Sequence, residues 1–181
     1  MKIITLSGLA ASGKSTIGKL LAQELNWNFV SIGNYSRDYA KRNYNLGINE
    51  FQDYLKSHPE LDIKIDKYFS EKVNESSNII VDYRLGYFFI KNAFHVYLHV
   101  SENEAVKRLL KAKRVDEFKT IDTETIKKEM NKRNQLMRSR FIDTYSTDFM
   151  DESNYDLVIN TDKYFDFKDI VKLIITEIKN N

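Results

Sequence analysis

Gly8-Leu9-Ala10-Ala11-Ser12-Gly13-Lys14-Ser15, followed by Thr16, is the most informative stretch of this chain. It fits the pattern G-x-x-x-x-G-K-[ST] of a phosphate-binding P-loop. Glycine at both ends allows backbone angles that a side chain would forbid, so the loop amides can turn inward around phosphate oxygens. Lys14 would place a cation on the β- and γ-phosphates of ATP, and the Ser15 hydroxyl can hold Mg²⁺. We therefore predict that residues 8–16 bind ATP, with Lys14 in a solvent-facing loop.

The segments on either side of this loop supply the strand and the helix that a P-loop requires. Residues 2–6 are short, apolar and β-branched, which is typical of a buried parallel strand. After the loop, apolar residues fall on one helical face: Ile17, Leu20, Leu21 and Leu25. The order strand, loop, helix favours a phosphate site over a glycine turn with a surface lysine.

Composition sets the broad class of the protein. The chain has 181 residues, of which 42% are hydrophobic and 30% charged, which suits one domain with a substantial core. A formal charge of +2 argues against binding to a nucleic acid polymer through a strong overall field. The chain contains no cysteine and no apolar run of membrane-spanning length. We expect a cytoplasmic monomer with no signal peptide and no membrane partner.

The hydrophobic pattern predicts an α/β fold with a parallel sheet covered by helices. Further strands are predicted at residues 29–32, 78–82, 95–100 and 156–160. Helices are predicted at about 14–26, 34–57 with a break near Gly47, 60–76, 102–113, 123–148 and 166–179. Ser101 is a candidate cap for the helix that follows it, and Asp122 or Thr123 is a candidate cap for the long helix after them. Residues 33–76 and the basic loop 111–122 are two excursions from the sheet, where function is expected.

Several polar residues follow the carboxyl ends of predicted strands, where α/β proteins bind ligands. Asp82 ends the third strand and could hold the water shell of Mg²⁺ opposite Ser15. Arg84 follows it with a planar fork that suits phosphate. Arg37 follows the second strand near Gly33 and would reach the same edge. A turn-capping aspartate and surface arginines are the alternatives.

Basic residues of the later helices are further candidates. Arg133 and Arg140 are seven residues apart and share one face of a long helix. An anionic transition state needs several cations, some of them brought in by closure. The candidates that lead into the loop at 111–122 are Arg108, Lys111, Lys113 and Arg114. Each could equally be a solvated helix charge, whereas His95 and His99 are expected to be structural.

Beyond the generic P-loop, several motifs resemble the nucleoside monophosphate kinases, and most closely the short cytidylate kinases of the archaeal type. The resemblance covers nearly the whole chain. The motifs that carry it are FVSIGNYSRDYA (29–40), HPELDIKID (58–66), IIVDYRLGYF (79–88), RNQLMRSRFIDTYSTD (133–148) and YDLVINT (155–161). They resemble that family's strand and turn with a phosphate-binding arginine, its Pro-Glu-Ile-Asp segment, its Glu-Gly-Arg-Leu-Ala-Gly strand end, its two-arginine helix and its last strand.

The resemblance implies a fold, a reaction and a set of roles. It implies a five-stranded parallel sheet with helices on both faces, in a single P-loop kinase domain over 1–181. The implied parts are a core at 1–32, 77–110 and 123–181, an acceptor-binding insert at 33–76 and a mobile lid at 111–122. The implied reaction is phosphoryl transfer from ATP with Mg²⁺ to CMP or dCMP. The implied roles are catalysis by Lys14, Arg133 and Arg140, donor binding by residues 8–16 and Arg108, acceptor binding by Gly33, Asn34, Arg37, Arg84 and Asp62 or Asp66, and metal binding by Ser15 and Asp82.

The chain departs from the family pattern at four positions. Asn34 replaces an aspartate, Asp82 a glutamate and Tyr83 a glycine, while Ala112 stands where the family usually carries an arginine. Two alternatives therefore stay open: a P-loop kinase of another small acceptor, and a nucleotide-binding regulator with little turnover. A GTPase is disfavoured because no Asn-Lys-x-Asp guanine motif occurs in the chain.

Overall fold

The computed structural model describes residues 3–111 and 122–180, which form five strands and eight α-helices. The strands are β1 (Ile3–Gly8), β2 (Asn28–Ser31), β3 (Ile79–Asp82), β4 (Phe94–His99) and β5 (Leu157–Asn160). The helices are α1 (Lys14–Leu25), α2 (Ile32–Tyr44), α3 (Ile48–Lys56), α4 (Pro59–Asn74), α5 (Gly86–Phe89), α6 (Glu102–Lys111), α7 (Thr123–Tyr145) and α8 (Phe167–Asn180). Short 3-10 turns cover Glu152–Asn154 and Thr161–Lys163.

The five strands form one parallel sheet in the order β2-β3-β1-β4-β5, which confirms the predicted α/β class. β1 lies at the centre, between β3 and β4. Its register places Leu6 opposite Asp82, so the carboxyl ends of β1 and β3 meet at one edge of the sheet. This register brings the loop after β1 beside the residues that follow β3.

Both faces of the sheet are covered, which explains the near-continuous apolar runs of its central strands. Ile4 and Leu6 of β1 pack with α1 and α8 on one face. Ile3 packs on the other face with aromatic residues that include Phe69 of α4 and Phe141 of α7. Successive residues of a strand point to opposite faces, so one short strand serves both cores.

Helices α2, α3 and α4 lie between β2 and β3 and pack on a small core of their own. Ala40, Phe51, Leu55 and Ile65 form that core. The predicted break near Gly47 is confirmed, since α2 ends at Tyr44 and α3 begins at Ile48. α4 also contributes Phe69 and Val73 to the core on one face of the sheet, so the three helices are joined to the sheet through α4.

Some predicted boundaries are wrong. Ile32 was assigned to β2 but begins α2, and the predicted helix at 123–148 ends at Tyr145, where Ser146 takes a left-handed conformation with φ of 54°. The single turn α5 was not predicted, because four residues cannot display a helical period. The predicted cap of α7 is confirmed by the Asp122 carboxylate, which accepts from the Thr125 amide at 2.8 Å. Most of the lid prediction, including Ala112, Lys113 and Arg114, lies outside the described residues.

In the described part of the chain, no helix combines the length and the apolar character needed to cross a membrane.

Candidate active site

The loop between β1 and α1 has the backbone that its glycines make possible. Gly8 has φ of +133°, and a Cβ there would lie 2.3 Å from the carbonyl oxygen of Leu98. Gly13 has φ of +93°, and a Cβ there would lie 2.9 Å from the Phe167 ring. Ala11 is also left-handed, with φ of +61°, and is strained because it carries a side chain. Residues with a side chain at positions 8 and 13 would therefore prevent the loop from adopting this shape.

Lys14 lies within this loop, against its backbone. Its Nζ donates hydrogen bonds to the carbonyl oxygens of Gly8 at 2.9 Å and Leu9 at 2.6 Å. The side chain is only 8% exposed, so the expectation of a solvent-facing lysine is wrong. Lys14 is also the first residue of α1, whose free amides and positive dipole end face the same loop. Backbone donors and a cation are thus gathered at one point, which is the chemistry of a polyphosphate site.

Ser15 and Asp82 face one another across the loop. The Ser15 hydroxyl donates to Asp82 Oδ2 at 2.6 Å, and Asp82 is 8% exposed. A hydroxyl and a carboxylate oxygen are hard ligands that suit Mg²⁺, which also takes water and substrate phosphate oxygens. Within residues 3–111 and 122–180, no cluster of three or more His, Cys, Asp or Glu residues could form an all-protein metal cage. The pair therefore fits a magnesium ion shared with a bound nucleotide.

Three arginines come close to one another next to this pair. Arg84 follows β3, and its Nε is shielded from solvent without a hydrogen-bond partner among the described residues. Burial lowers the pKa of the Arg84 guanidinium, Asp82 acts in the opposite direction, and Arg133 and Arg140 lower it further. Arg133 and Arg140 are close enough to Arg84 for their charges to lower its pKa, and cations gathered in this way indicate a site for an anion.

Arg140 is also paired with the helices that precede β3. Its Nη1 lies 3.3 Å from Asp62 Oδ2 on α4, while its Nε is shielded and has no hydrogen-bond partner among the described residues. Burial raises the pKa of the Asp62 carboxyl, and the Arg140 charge opposes that rise. The pair joins α4 to α7 at the rim of the arginine cluster.

Asp66 lies one turn further along α4 and is more deeply buried, with 6% of its surface exposed. Both of its oxygens accept hydrogen bonds, from the Tyr83 hydroxyl at 2.8 Å and from the Tyr145 hydroxyl at 2.7 Å. Burial raises the pKa of Asp66 to about 6, against the lowering effect of these two hydrogen bonds. The Asp66 carboxylate is therefore occupied by protein groups, whereas Asp62 lies at the edge of the arginine cluster.

Arg108 of α6 joins the P-loop to the segment after β5. Its guanidinium donates to the Thr161 carbonyl oxygen at 3.0 Å, to Thr161 Oγ1 at 2.9 Å and to the Ala11 carbonyl oxygen at 3.3 Å. It also pairs with Glu104 at 3.1 Å and lies 5.1 Å from the centre of the Phe167 ring. Arg108 thus braces the loop in which a donor nucleotide would lie.

The predicted acceptor residues after β2 make local contacts. The Arg37 side chain donates to Asn34 Oδ1 at 2.5 Å, three residues earlier on α2. A Cβ on Gly33 would lie 3.8 Å from the Arg37 guanidinium, which is ordinary van der Waals contact, so this conformation of Arg37 does not require a glycine at residue 33. Ser15, next to Lys14 in the chain, pairs with Asp82. Arg84 lies near enough to Asp82, Arg133 and Arg140 for their charges to change its pKa. Arg37 instead contacts Asn34 on its own helix.

Comparisons with known proteins fit this geometry. A family model described as an AAA domain matches residues 4–127. A cytidylate kinase from Methanosphaera stadtmanae is 34% identical over 178 residues, which make up 98% of this chain and 98% of that protein. The chain belongs to the nucleoside monophosphate kinase family of P-loop proteins.

Another relative of this family member is a different kind of enzyme, and not a cytidylate kinase. An S-adenosylmethionine-dependent nucleotide dehydratase from Lacinutrix mariniflava is 54% identical over 159 residues, which are 88% of this chain. Those residues are only 32% of the dehydratase, so the present chain spans about a third of that protein's length. The likeness locates a homologous region in a larger protein, two thirds of which has no counterpart here.

Solved structures share the fold of this P-loop kinase family member. An uncharacterised protein from Eubacterium ventriosum aligns over 100% of both chains with a TM-score of 0.70 and 18% identity. The shikimate kinase of Bacteroides thetaiotaomicron aligns over 98% of both chains with a TM-score of 0.65 and 17% identity. At such identities the likeness shows the fold alone.

Sequence reasoning missed several contributors to this site. Tyr83 was noted only as a departure from a glycine, and Tyr145 was not singled out, yet both bind Asp66. Phe167 was not considered, although its ring lies between Gly13 and Arg108. No periodic or spacing signal marks a tyrosine that binds a carboxylate on another element. The glycine-to-tyrosine departure at residue 83 was the one visible sign.

Proposed function

We propose that the protein transfers the γ-phosphoryl group of ATP to CMP or dCMP. The observation that carries the proposal is the convergence of Arg84, Arg133 and Arg140 beside the Ser15–Asp82 pair and the P-loop. A polyphosphate on the loop and a second phosphate among the arginines would lie on either side of the transferred group. The cytidylate kinase relatives, which align over nearly the whole chain, support the choice of acceptor.

The proposed chemistry needs no general base, because an acceptor phosphate oxygen is already anionic near neutral pH. Its difficulty is the repulsion between two polyanions, so the residues act by neutralising and positioning charge. Lys14 and the loop amides hold the donor. Arg84 and Arg37 hold the acceptor phosphate. Arg133 and Arg140 contact the group that is transferred. Mg²⁺ bound at Ser15 and Asp82 would add positive charge on the phosphate oxygens.

We propose that residues 33–76 bind the base and the sugar of the acceptor. We assign this binding to Asn34 and Asp62, because Asn34 contacts Arg37 and Asp62 contacts Arg140. The loop at 111–122 is proposed as the lid that excludes water during transfer. A cytoplasmic location and a monomeric state complete the proposal, the former supported by the cysteine-free composition.

A coupled assay of ADP release across CMP, dCMP, UMP, AMP, GMP and TMP tests this function. Turnover should be fastest with CMP or dCMP and should require Mg²⁺. Preference for another nucleotide would leave a kinase with a different acceptor. The absence of turnover with all six would favour a nucleotide-binding regulator.

The dehydratase relative favours a second role for the same activity. A region 54% identical to this chain lies within a protein named for a reaction on nucleotides. We propose that the present chain supplies phosphorylated nucleotide to a dehydratase of that kind. If so, the Lacinutrix mariniflava protein should consume the product of this chain faster than CMP itself, in the presence of S-adenosylmethionine. Equal consumption of CMP and product would refute this role.

A further inference from the structure

Asp66 lies where three elements of the structure meet. It belongs to α4, and its two oxygens accept from Tyr83, directly after β3, and from Tyr145, the last residue of α7. The residues are far apart in the chain, so the three-way contact forms only when the elements have packed. We call Tyr83, Asp66 and Tyr145 the tyrosine bridge.

Burying the Asp66 carboxylate between the two tyrosines costs free energy that an apolar side chain would not. The Tyr83 ring is 2% exposed and packs edge-on against Phe69 and parallel to Phe89. An apolar side chain in place of Asp66 would continue this packing without burying a carboxylate, which is often as stable or more so. A buried carboxylate between two hydroxyls instead fixes the distance and orientation of the groups that bind it. A buried carboxylate at this point therefore suits a residue that positions its neighbours.

Each tyrosine of the bridge lies near an arginine of the candidate site along the chain. Tyr83 is the immediate neighbour of Arg84 in the chain. Tyr145 lies on the same helix as Arg140, which in turn pairs with Asp62, one turn before Asp66 on α4. A shift of either tyrosine would thus move an arginine backbone that carries a phosphate-binding fork.

We propose that Asp66 is a positioning residue which, through Tyr83 and Tyr145, sets the spacing between Arg84 and Arg140 around the acceptor phosphate. The inference rests on the proposed function and deepens it, because it gives a part in that function to three residues that bind one another. Tyr83, the departure from the family's glycine, then supplies a contact that this chain uses to order its arginine cluster. Asp62 is left as the α4 carboxylate that faces the acceptor.

The test removes one hydroxyl at a time. Tyr83→Phe and Tyr145→Phe keep the rings and break one bridge bond each. Tyr87→Phe is the matched control, because it also removes a partly buried hydroxyl, one that contacts Thr147 Oγ1 at 2.8 Å and not Asp66. The measurements are KM for CMP, KM for ATP and kcat, with melting temperature recorded for every variant.

We expect each bridge variant to lose about tenfold or more in kcat/KM for the acceptor, since small misplacements of catalytic groups are costly. KM for ATP should stay within about twofold, and Tyr87→Phe should match the wild type in both values. A bridge with only a structural role would lower the melting temperature of Tyr83→Phe and Tyr145→Phe and leave their kinetic constants unchanged. That outcome would overturn the inference.

A second readout separates the bridge from the identity of the acceptor. Inorganic pyrophosphate is titrated onto the complex with a non-hydrolysable ATP analogue, where it reports on the arginine cluster without turnover. Weaker pyrophosphate binding in Tyr83→Phe and Tyr145→Phe, with Tyr87→Phe unchanged, supports the bridge even if the wild type fails to phosphorylate CMP. Equal pyrophosphate affinity in all four proteins overturns the bridge and leaves the proposed kinase activity untouched.

Discussion

Replacing Asp66 with asparagine should stabilise the folded protein at neutral and alkaline pH. Burial raises the pKa of Asp66 from 3.8 to about 6, so the folded protein binds this proton more tightly than the unfolded chain does. Stability is therefore lost as the pH rises from about 4 to about 6, and the loss is complete above that range. Asparagine carries no charge to desolvate, while its oxygen and amide can still bind the two tyrosine hydroxyls.

The magnitude follows from the size of the pKa rise. A rise from 3.8 to about 6 corresponds to about 3 kcal/mol of lost stability once the carboxyl is fully ionised. Roughly half of that loss, about 1.4 kcal/mol, should accumulate between pH 5 and pH 8. The difference in unfolding free energy between Asp66→Asn and the wild type should grow by this amount over the interval, in favour of the variant.

Urea denaturation at pH 5 and pH 8 measures this difference. Trp27 is the single tryptophan of the chain and packs against the main core, so its fluorescence reports global unfolding. Using the difference between variant and wild type cancels the titration of the carboxyl groups that do not interact with Asp66, and Asp62 is the carboxyl group of the described residues whose charge acts on Asp66. A difference that stays constant with pH, or that shifts towards the wild type at pH 8, would refute the reasoning about Asp66.

Three substitutions probe the P-loop, the arginine cluster and the magnesium pair. Lys14→Ala should lower turnover by about 10²–10³ and cost about 1–3 kcal/mol of stability, because two carbonyl oxygens lose their ammonium partner. Arg84→Lys should raise KM for CMP about tenfold to a hundredfold, because lysine lacks the planar fork, while KM for ATP stays unchanged. Asp82→Asn should raise the Mg²⁺ concentration needed for half-maximal turnover and leave CMP binding intact.

Each of these expectations has a control and a contradicting result. Arg138→Lys is the control for Arg84, because the exposed Arg138 pairs with Asp148. Equal losses for CMP and ATP in Arg84→Lys would assign that arginine to the donor or to the fold. If a thermal unfolding transition shows that Lys14→Ala is folded, unchanged turnover in this variant would contradict phosphate transfer at the loop. An unchanged Mg²⁺ requirement in Asp82→Asn would remove Asp82 from the metal site.

The sequence predicted the sheet and the centre of the site because both follow from local patterns. Strand, glycine loop and helix are contiguous, so the P-loop and its neighbours could be located to within a few residues. The proximity of Ser15 and Asp82 was predicted from the metal chemistry of a P-loop and from the position of Asp82 at the end of a strand, and the register of β1 and β3 brings the two residues together. Arg133 and Arg140 followed from helical spacing, and both act on the charge of Arg84 in the structure.

What the sequence did not reveal depends on contacts between distant residues. The partners of Asp66 lie 17 and 79 residues away, and no spacing rule connects a carboxylate to such hydroxyls. The burial of Lys14 was missed because a motif gives the identity of a residue and not the direction of its side chain. The role of Phe167 depends on how α8 packs against the P-loop, which is a tertiary property.

Phosphorus NMR of a mixture of the protein, ATP, CMP and Mg²⁺ tests phosphoryl transfer most directly, since it identifies every product. If the protein transfers the phosphoryl group, CDP and ADP appear in equal amounts, with little inorganic phosphate. Formation of ADP and inorganic phosphate without CDP, or a spectrum that does not change with time, would contradict this transfer.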